Sequence, residues 1–276
     1  MVVEVDGAVA RVLIDRAEAL NALSPAVLDG LRTAVDTAIQ AGCSVLVLRG
    51  SGGTLSAGAD LKYLETLLGD EVALDRYLAE IGAMVDALEA APLVTIAVVE
   101  GYALAGGCEI LLACDLAVVA EDAMIGDRHL EYGLLPGAGG SVRLPRALPA
   151  MLARRLLYTA EMIDGRIAFE WGLASHVAPA AELDTVLEEL VARLARHSRS
   201  ALAGMKRLYR ASRDTPVADA LVAERAVLVE HLRNSPAAAE GLAAFRARRA
   251  PDFAAEPDVR AEGNFAAEPD VRAEGN

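Results

Sequence analysis

The chain has 276 residues, of which 54% are hydrophobic, and its 26 basic and 40 acidic side chains give a formal net charge of −14. Length and apolar content suffice for a folded core, whereas the charge argues against the basic surface that nucleic acid or an anionic membrane needs. The three cysteines have no C-x-x-C spacing, which argues against a disulfide framework and a structural zinc site.

The first half of the chain alternates short apolar runs with stretches of helical periodicity. Four runs are predicted strands: residues 9–14, 45–48, 93–99 and 116–119. Ser24 and Pro25 suit the N-cap and first turn of a helix of about 17 residues. Residues 74–88 repeat apolar side chains at helical spacing. This alternation predicts an α/β core of right-handed crossover units.

The second half is predominantly helical. After Pro149 the sequence is rich in alanine, and five segments have a helical pattern: residues 150–159, 182–196, 200–212, 217–233 and 236–248. Their apolar stripes can pack on the core or on another subunit, and the sequence does not choose between these arrangements.

The N-terminus carries no recognisable targeting pattern. The N-terminus has no basic region followed by an apolar run, and no apolar stretch reaches membrane-spanning length. We therefore predict a cytoplasmic location without a signal peptide.

The C-terminus is a tandem duplication that starts at Phe253 and again at Phe265. Its proline, glycine and charge content predicts a flexible segment.

Two glycine-bearing stretches, residues 56–62 and 101–109, carry the strongest functional signal. Each follows a predicted buried strand and precedes helical sequence, so each can present unpaired backbone N–H groups at a helix start. Two such amides aimed at one point form an oxyanion hole. Glu109 follows Gly106 by about one helical turn, which places an acid/base group beside this anion site. Taken alone, the glycines also suit tight turns, and Glu109 also suits the first turn of a helix.

Three motifs together resemble the crotonase superfamily of enoyl-CoA hydratases and isomerases. They are Ser-Ala-Gly-Ala-Asp-Leu at 56–61, Gly-Tyr-Ala-Leu-Ala-Gly-Gly-Cys-Glu at 101–109 and Leu-Pro-Gly-Ala-Gly-Gly at 135–140. The resemblance implies an α/β fold, a crotonase-like spiral of ββα units with a helical C-terminal region. It implies three parts: the spiral core over residues 1–195, a helical C-terminal trimerisation region over 196–252, and the duplicated tail over 253–276.

The resemblance also implies roles for individual residues. The amides of Ala59 and Gly106 are implied to hold a thioester carbonyl oxygen, and Glu109 to handle water and protons. The residues implied to bind coenzyme A are Ala19, Leu20, Ala57, Asp60, Leu61 and Lys62, with Phe245 and Arg248 reaching the coenzyme A of a neighbouring subunit. Since coenzyme A is part of the substrate, we expect no separate cofactor and no metal.

One position departs from the family pattern. Hydratases carry a second glutamate seven residues before the proline of the third motif, and the residue seven before Pro136 is His129. His129 can replace that glutamate, because histidine moves protons near neutral pH. Alternatively, His129 lines the pocket while Glu131 or Asp127 supplies the second carboxylate. This position leaves the reaction within the family open.

The leading hypothesis is an enoyl-CoA hydratase of fatty acid metabolism that adds water to a 2-enoyl-CoA. Double-bond isomerisation and crotonase-like C–C hydrolysis use the same oxyanion hole and remain alternatives. A third alternative is a non-catalytic subunit that binds coenzyme A. The expected partners are an acyl-CoA substrate and further copies of the chain, as a homotrimer or a dimer of trimers.

Overall fold

The structure is a computed structural model that describes residues 1–253. The flexible tail predicted over 253–276 therefore lies outside the described residues, except for Phe253. Within the described part there are nine strands: β1 Val2–Asp6, β2 Val9–Ile14, β3 Val45–Gly50, β4 Val94–Val99, β5 Tyr102–Leu104, β6 Leu116–Ala120, β7 Met124–Gly126, β8 Ile163–Asp164 and β9 His176–Ala178.

Residues 1–253 also contain eleven α-helices: α1 Pro25–Gln40, α2 Leu61–Thr66, α3 Glu71–Ala90, α4 Gly106–Ala113, α5 Gly140–Ala147, α6 Ala150–Thr159, α7 Gly165–Glu170, α8 Leu183–Leu194, α9 Arg199–Asp214, α10 Val217–Asn234 and α11 Pro236–Ala247. A short 3-10 turn over His129–Tyr132 separates β7 from α5. None of the helices in this part of the chain has both the length and the apolarity to cross a membrane.

The main sheet has six strands in the order β1-β2-β3-β4-β6-β9. β1 pairs antiparallel with β2, and every other neighbouring pair is parallel. All six residues of β4 are buried, as expected for a central parallel strand covered on both faces. The buried core includes side chains from this sheet and from α1, α3 and α4.

A second, smaller sheet consists of β5, β7 and β8. After β4 in the main sheet the chain enters β5 in the second sheet and then α4. After β6 it enters β7 and then, through the 3-10 turn, α5. Each passage is a ββα unit, and their succession winds the chain into a spiral. The junctions between second-sheet strands and helices consequently lie side by side.

The predicted elements are present. The four apolar runs are β2, β3, β4 and β6, and Ser24 caps α1 by accepting a hydrogen bond from Val27 N at 3.4 Å. The five helical segments of the second half correspond to α6, α8, α9, α10 and α11. The sequence did not predict β1 or the second sheet.

The C-terminal helices are tied to the core by a buried lysine on α9. Lys206 Nζ lies 2.7 Å from Asp115 Oδ2 and donates to the carbonyl oxygens of Leu88 and Leu93 at 3.1 and 3.0 Å. Because a buried ammonium is costly unless it is paired and hydrogen-bonded, these contacts specify where α9 docks.

Candidate active site

The candidate site lies where three stacked strand segments end. Ser56 forms a parallel bridge with Ala103, and Ala103 pairs in parallel with Ile125 across β5 and β7. The carboxyl ends of parallel strands meet at one edge of a sheet, where ligands of α/β proteins commonly bind. The spiral therefore brings together three segments that follow these strands: residues 57–60, 104–109 and 127–131.

The first two segments touch at Gly58 and Gly106. Gly58 has φ +101°, and a Cβ added there would lie 2.9 Å from both Gly106 N and Ala105 Cβ. Only glycine accommodates this backbone conformation and this close approach. Within residues 1–253 neither the Ala59 N–H nor the Gly106 N–H donates a hydrogen bond. Two unpaired amides on touching segments, one at a helix start, provide the donors that an oxyanion hole requires.

A buried tyrosine anchors the loop that carries Ala59. Tyr77 on α3 is 2% exposed. Its hydroxyl accepts from Asp60 N at 2.9 Å and donates to Leu23 O at 2.7 Å. Burial raises the pKa of the Tyr77 hydroxyl to about 12, so this group stays protonated and able to donate. Ala59 thus sits between the glycine contact and a fixed Asp60.

The side chain of Asp60 strengthens the same anchor. Its Oδ2 lies 2.7 Å from Arg16 Nη1, and its Oδ1 accepts from Tyr63 N at the start of α2. Burial acts to raise the pKa of Asp60, but the hydrogen bond and charge of Arg16 and the amide donors outweigh it, so the pKa falls below its ordinary value. Asp60 is therefore ionised, capping α2 while paired with Arg16.

Glu109 lies on α4, three residues after Gly106, and is 2% exposed. Its Oε1 accepts hydrogen bonds from Ala138 N at 2.9 Å and Gly140 N at 2.8 Å. These two donors fix the carboxylate and leave Oε2 for other chemistry. Burial raises the pKa of Glu109 above its ordinary value, although both amides and the charge of His129 oppose the shift. Such a buried, oriented carboxylate suits a general base.

The third segment carries the histidine at the position of the family's second glutamate. His129 begins the 3-10 turn, and its Nδ1 lies 3.0 Å from Asp127 Oδ1. Glu131, the other carboxylate considered, has a half-exposed side chain 3.7 Å from Arg128. Asp127 is 3% exposed. The structure thus places His129 and Asp127 at the site, in contact with each other, and places Glu131 toward solvent.

Among the predicted coenzyme A residues, those near the first motif form one group. Ala57 N donates to Leu20 O at 3.0 Å, which sets the 19–20 segment beside residues 57–62. Leu20, Leu61 and Lys62 are exposed at this edge. Phe245 and Arg248 are exposed at the end of α11, and in the described residues neither hydrogen-bonds to the three motif segments.

Two features of the site were missed by reasoning from the sequence. The first is that the amides of Ala138 and Gly140, both in the third motif, hold Glu109. From the sequence this motif indicated only the family resemblance. Glycines followed by a helix start are the signal that identifies these amides as donors. Tyr77 lies in a helix whose periodicity indicates only burial, so no sequence signal predicts its contact with the loop.

Comparisons with known proteins show the family of this chain. The family model for enoyl-CoA hydratase/isomerase matches residues 4–256. A probable enoyl-CoA hydratase of Mycobacterium bovis is 32% identical over 92% of this chain and 97% of its own length. The 2,3-dehydroadipyl-CoA hydratase of Escherichia coli is 36% identical over 87% of this chain and 92% of its own. A crystal structure of an enoyl-CoA hydratase from Mycobacterium smegmatis superposes with a TM-score of 0.86 at 29% identity, covering 91% of this chain and 98% of that one.

Proposed function

Because the chain belongs to the enoyl-CoA hydratase/isomerase family, we propose that it adds water across the C2–C3 double bond of a 2-enoyl-CoA. The observation that carries this proposal is the placement of Glu109. Its carboxylate is buried and held by Ala138 N and Gly140 N, one helical turn from the unpaired amide of Gly106. A fixed base next to an oxyanion hole is the arrangement that water addition to a thioester needs.

In the first step the thioester carbonyl oxygen accepts hydrogen bonds from Ala59 N–H and Gly106 N–H. Glu109 Oε2 takes a proton from water, and the resulting hydroxide bonds to C3. The C2–C3 π electrons move toward the carbonyl, which becomes an enolate oxygen in the hole. Each preorganised donor lowers the barrier by about 3–4 kcal/mol, because its bond strengthens as negative charge collects on oxygen.

In the second step the enolate collapses and C2 takes a proton. The electron pair on oxygen re-forms the C=O bond and the π electrons between C1 and C2 form the new C2–H bond, which gives a 3-hydroxyacyl-CoA. His129 is the candidate donor, since it occupies the position that the resemblance assigns to a second glutamate, and histidine is a side chain that can carry and transfer a proton. Glu109 then releases the proton it took from water to solvent, and His129 takes up a proton from solvent, which restores the starting state.

Double-bond isomerisation is the second candidate reaction. The observation that favours it is the absence of a glutamate at position 129, because an isomerase needs only one base to move a proton between C2 and C4. Isomerisation would use Glu109 as that base and would add no water.

Separate assays with a 2-enoyl-CoA and a 3-enoyl-CoA distinguish the two reactions. A hydratase converts the first into a 3-hydroxyacyl-CoA, whereas an isomerase interconverts the two double-bond positions without adding water. We expect hydration, and we expect Glu109→Gln to lower kcat at least about 100-fold. Glu189→Gln, an exposed glutamate on α8, is the matched control and should keep full activity. Turnover of neither substrate by a protein that binds acyl-CoA would refute both candidates and support a non-catalytic subunit.

The remaining expectations are part of the same proposal. We propose that Lys62 contributes to binding the coenzyme A phosphates, because it is an exposed cation beside the first motif. Coenzyme A arrives with the substrate, so the reaction needs no further cofactor. A cytoplasmic location fits the three free cysteines, Cys43, Cys108 and Cys114.

We also propose assembly into a homotrimer or a dimer of trimers. Five apolar side chains of α10 are about half exposed: Leu221, Val222, Leu228, Val229 and Leu232. An apolar helix face of this extent normally contacts another chain.

A further inference from the structure

Asp127, two residues before the 3-10 turn, is a buried carboxylate that has no role in the proposed hydration so far. Asp127 directly follows β7, and Glu109 lies in the first turn of α4, the helix that follows β5. The carboxylate of Asp127 is buried, and one oxygen lies 3.0 Å from His129 Nδ1. A carboxylate can only accept, so Nδ1 carries the hydrogen of this bond. Nε2 is then the ring nitrogen left to face a substrate, and within residues 1–253 it has no hydrogen-bond partner.

The other oxygen of Asp127 approaches the residues that hold Glu109. A Cβ added to Gly140 would lie 2.7 Å from Asp127 Oδ2 and 3.2 Å from Glu109 Oε1. The two carboxylates therefore flank the same glycine, whose N–H donates to Glu109. Because both carboxylates lie beside Gly140, the hydrogen-bonded pair of Asp127 and His129 is next to Glu109. The charges of His129 and Glu109 act on each other.

We propose that Asp127 and His129 form a proton-donating pair, in which His129 Nε2–H delivers the proton to C2 and Asp127 is the positioning residue. This inference rests on the proposed function, because it assigns the second proton transfer of that reaction. The Nε2–H bond breaks as the C2–H bond forms, and the enolate electron pair supplies the new bond. The imidazole becomes neutral, and Asp127 keeps its charge and its hydrogen bond throughout.

The charges around His129 support this assignment. Burial lowers the pKa of His129, but the hydrogen bond and charge of Asp127, with the charge of Glu109, outweigh it, so the pKa lies above its ordinary value. The other charged groups near the turn have partners elsewhere. Arg128 pairs with Glu131 and donates to Ala160 O.

The helix packed against the turn contributes no charge toward His129. On α6, Arg155 pairs with Glu161, and Arg154 Nη1 contacts Met151 Sδ. Asp127 and Glu109 are thus the anions that hold the proton on His129.

Titration of His129 by NMR in the full-length protein tests the pair without any substrate. Histidine side chains labelled with ¹⁵N give four sets of signals, and His129→Gln identifies the relevant one. We expect Asp127→Asn to lower the pKa of His129, because the substitution keeps the shape of the side chain but removes its charge. Glu131→Gln removes a carboxylate from the same turn and should leave that pKa unchanged. An equal pKa in wild type and Asp127→Asn would overturn the coupling.

Exchange of C2 protons tests the chemistry. In D₂O, neutral His129 should remove a C2 proton from a saturated acyl-CoA and return a deuteron, which requires no hydration. We expect His129→Gln to slow this exchange at least about 100-fold. Asp127→Asn should also slow it, because the imidazole becomes a weaker base, while Glu131→Gln should match wild type. Wild-type exchange rates in His129→Gln would overturn the proposal.

The two assays separate the failure of the pair from the failure of the proposed function. Exchange without hydration in the wild type would refute the proposed hydration and retain the pair. If the wild type hydrates a 2-enoyl-CoA but C2 proton exchange has the wild-type rate in both His129→Gln and Asp127→Asn, only the proposed pair would be refuted. A wild type that neither hydrates nor exchanges would refute both.

Discussion

Two ionisable side chains at the site have pKa values shifted in the direction that their roles require. Burial raises the pKa of Glu109, so this carboxylate is a stronger base than an exposed one. Asp127 keeps the pKa of His129 above its ordinary value, so a larger fraction of this imidazole carries a proton near neutral pH. A base and an acid are thus available together, as water addition to a conjugated thioester requires.

The pH dependence of kcat follows from these directions. Activity needs ionised Glu109, so kcat should fall as pH drops through its raised pKa. Activity also needs protonated His129, so kcat should fall again as pH rises through that group's raised pKa. We predict a bell-shaped profile whose alkaline limb moves to lower pH in Asp127→Asn. An alkaline limb that stays in place in this variant, measured with a 2-enoyl-CoA, would contradict the acid role of His129.

Tyr77 is a positioning residue for the oxyanion hole, because its hydroxyl fixes the residue after Ala59. Tyr77→Phe leaves Asp60 N and Leu23 O without this partner. We predict a loss of about 1–3 kcal/mol in the free energy of unfolding. We also predict a fall in kcat of about tenfold or more with a smaller change in KM, since misplacement affects the transition state most.

Tyr63→Phe is the matched control for this prediction. Tyr63 packs edge-on against Tyr77 with ring centroids 5.0 Å apart, but it is 37% exposed. The Tyr63→Phe variant should have nearly the kcat and the free energy of unfolding of the wild type. Both substitutions keep the aromatic rings and their contact, so equal losses in the two variants would show that the effect is not specific to the hydrogen bonds of the Tyr77 hydroxyl.

Glu109 and Tyr77 differ in how far the sequence could predict their positions. The place of Glu109 in the first turn of a helix follows from a local pattern, because it comes one turn after a glycine that starts the helix. The partners of Tyr77 lie 17 and 54 residues away in the chain. A contact of that separation depends on how α3 docks, which no local pattern specifies.

At the scale of elements, the proposed oxyanion hole depends on the contact between the loop at Gly58 and the start of α4. Gly58→Ala would place a methyl group 2.9 Å from Gly106 N. We predict that the two segments separate and that kcat falls at least about 100-fold, the usual effect of losing one oxyanion donor.

Gly69→Ala provides a control for backbone strain alone. Gly69 has φ +100°, nearly the same as Gly58, but nothing lies within 4 Å of the position its Cβ would take. Both variants should lose stability, because alanine disfavours this conformation. Only Gly58→Ala should lose activity in a 2-enoyl-CoA assay. Equal activities would show that the close contact at Gly58 is not needed for catalysis.

Elements with strong periodicity were predicted, and those without it were missed. The strands β3 and β4 are rich in apolar β-branched side chains, and the burial of residues 45–48 and 94–99 confirms the expectation from sequence. β1 is mostly exposed and pairs only at one edge, so its sequence lacks the pattern of a buried strand. β5, β7 and β8 have two or three residues each, too few for any periodicity to show. The register of this short sheet nevertheless brings the three site segments together.

At the scale of the whole molecule, the exposed face of α10 predicts a specific assembly. We expect the native mass to be three or six times the 28.9 kDa of the chain. Leu228→Glu combined with Leu232→Glu should lower this mass, because charges on an apolar interface oppose association. Sedimentation or light scattering measures the result.

Val72→Glu is the control for the assembly prediction. Val72 is 70% exposed at the start of α3, more than either leucine, so the substitution adds a charge without touching α10. The mass should stay unchanged. A monomeric wild type, or a double variant of α10 with the wild-type mass, would contradict the proposed interface.

The proposed catalysis depends on one arrangement, in which the amides of Ala59 and Gly106 polarise a thioester carbonyl while Glu109 faces the same substrate. Infrared difference spectroscopy of a carbonyl-labelled 2-enoyl-CoA bound to Glu109→Gln measures this polarisation directly, because this variant should turn the substrate over at least about 100-fold more slowly. We predict that the carbonyl stretch lies at lower frequency when bound than when free, and that adding Gly58→Ala returns it toward the free position. A bound carbonyl with the frequency of the free thioester would contradict the proposed oxyanion hole.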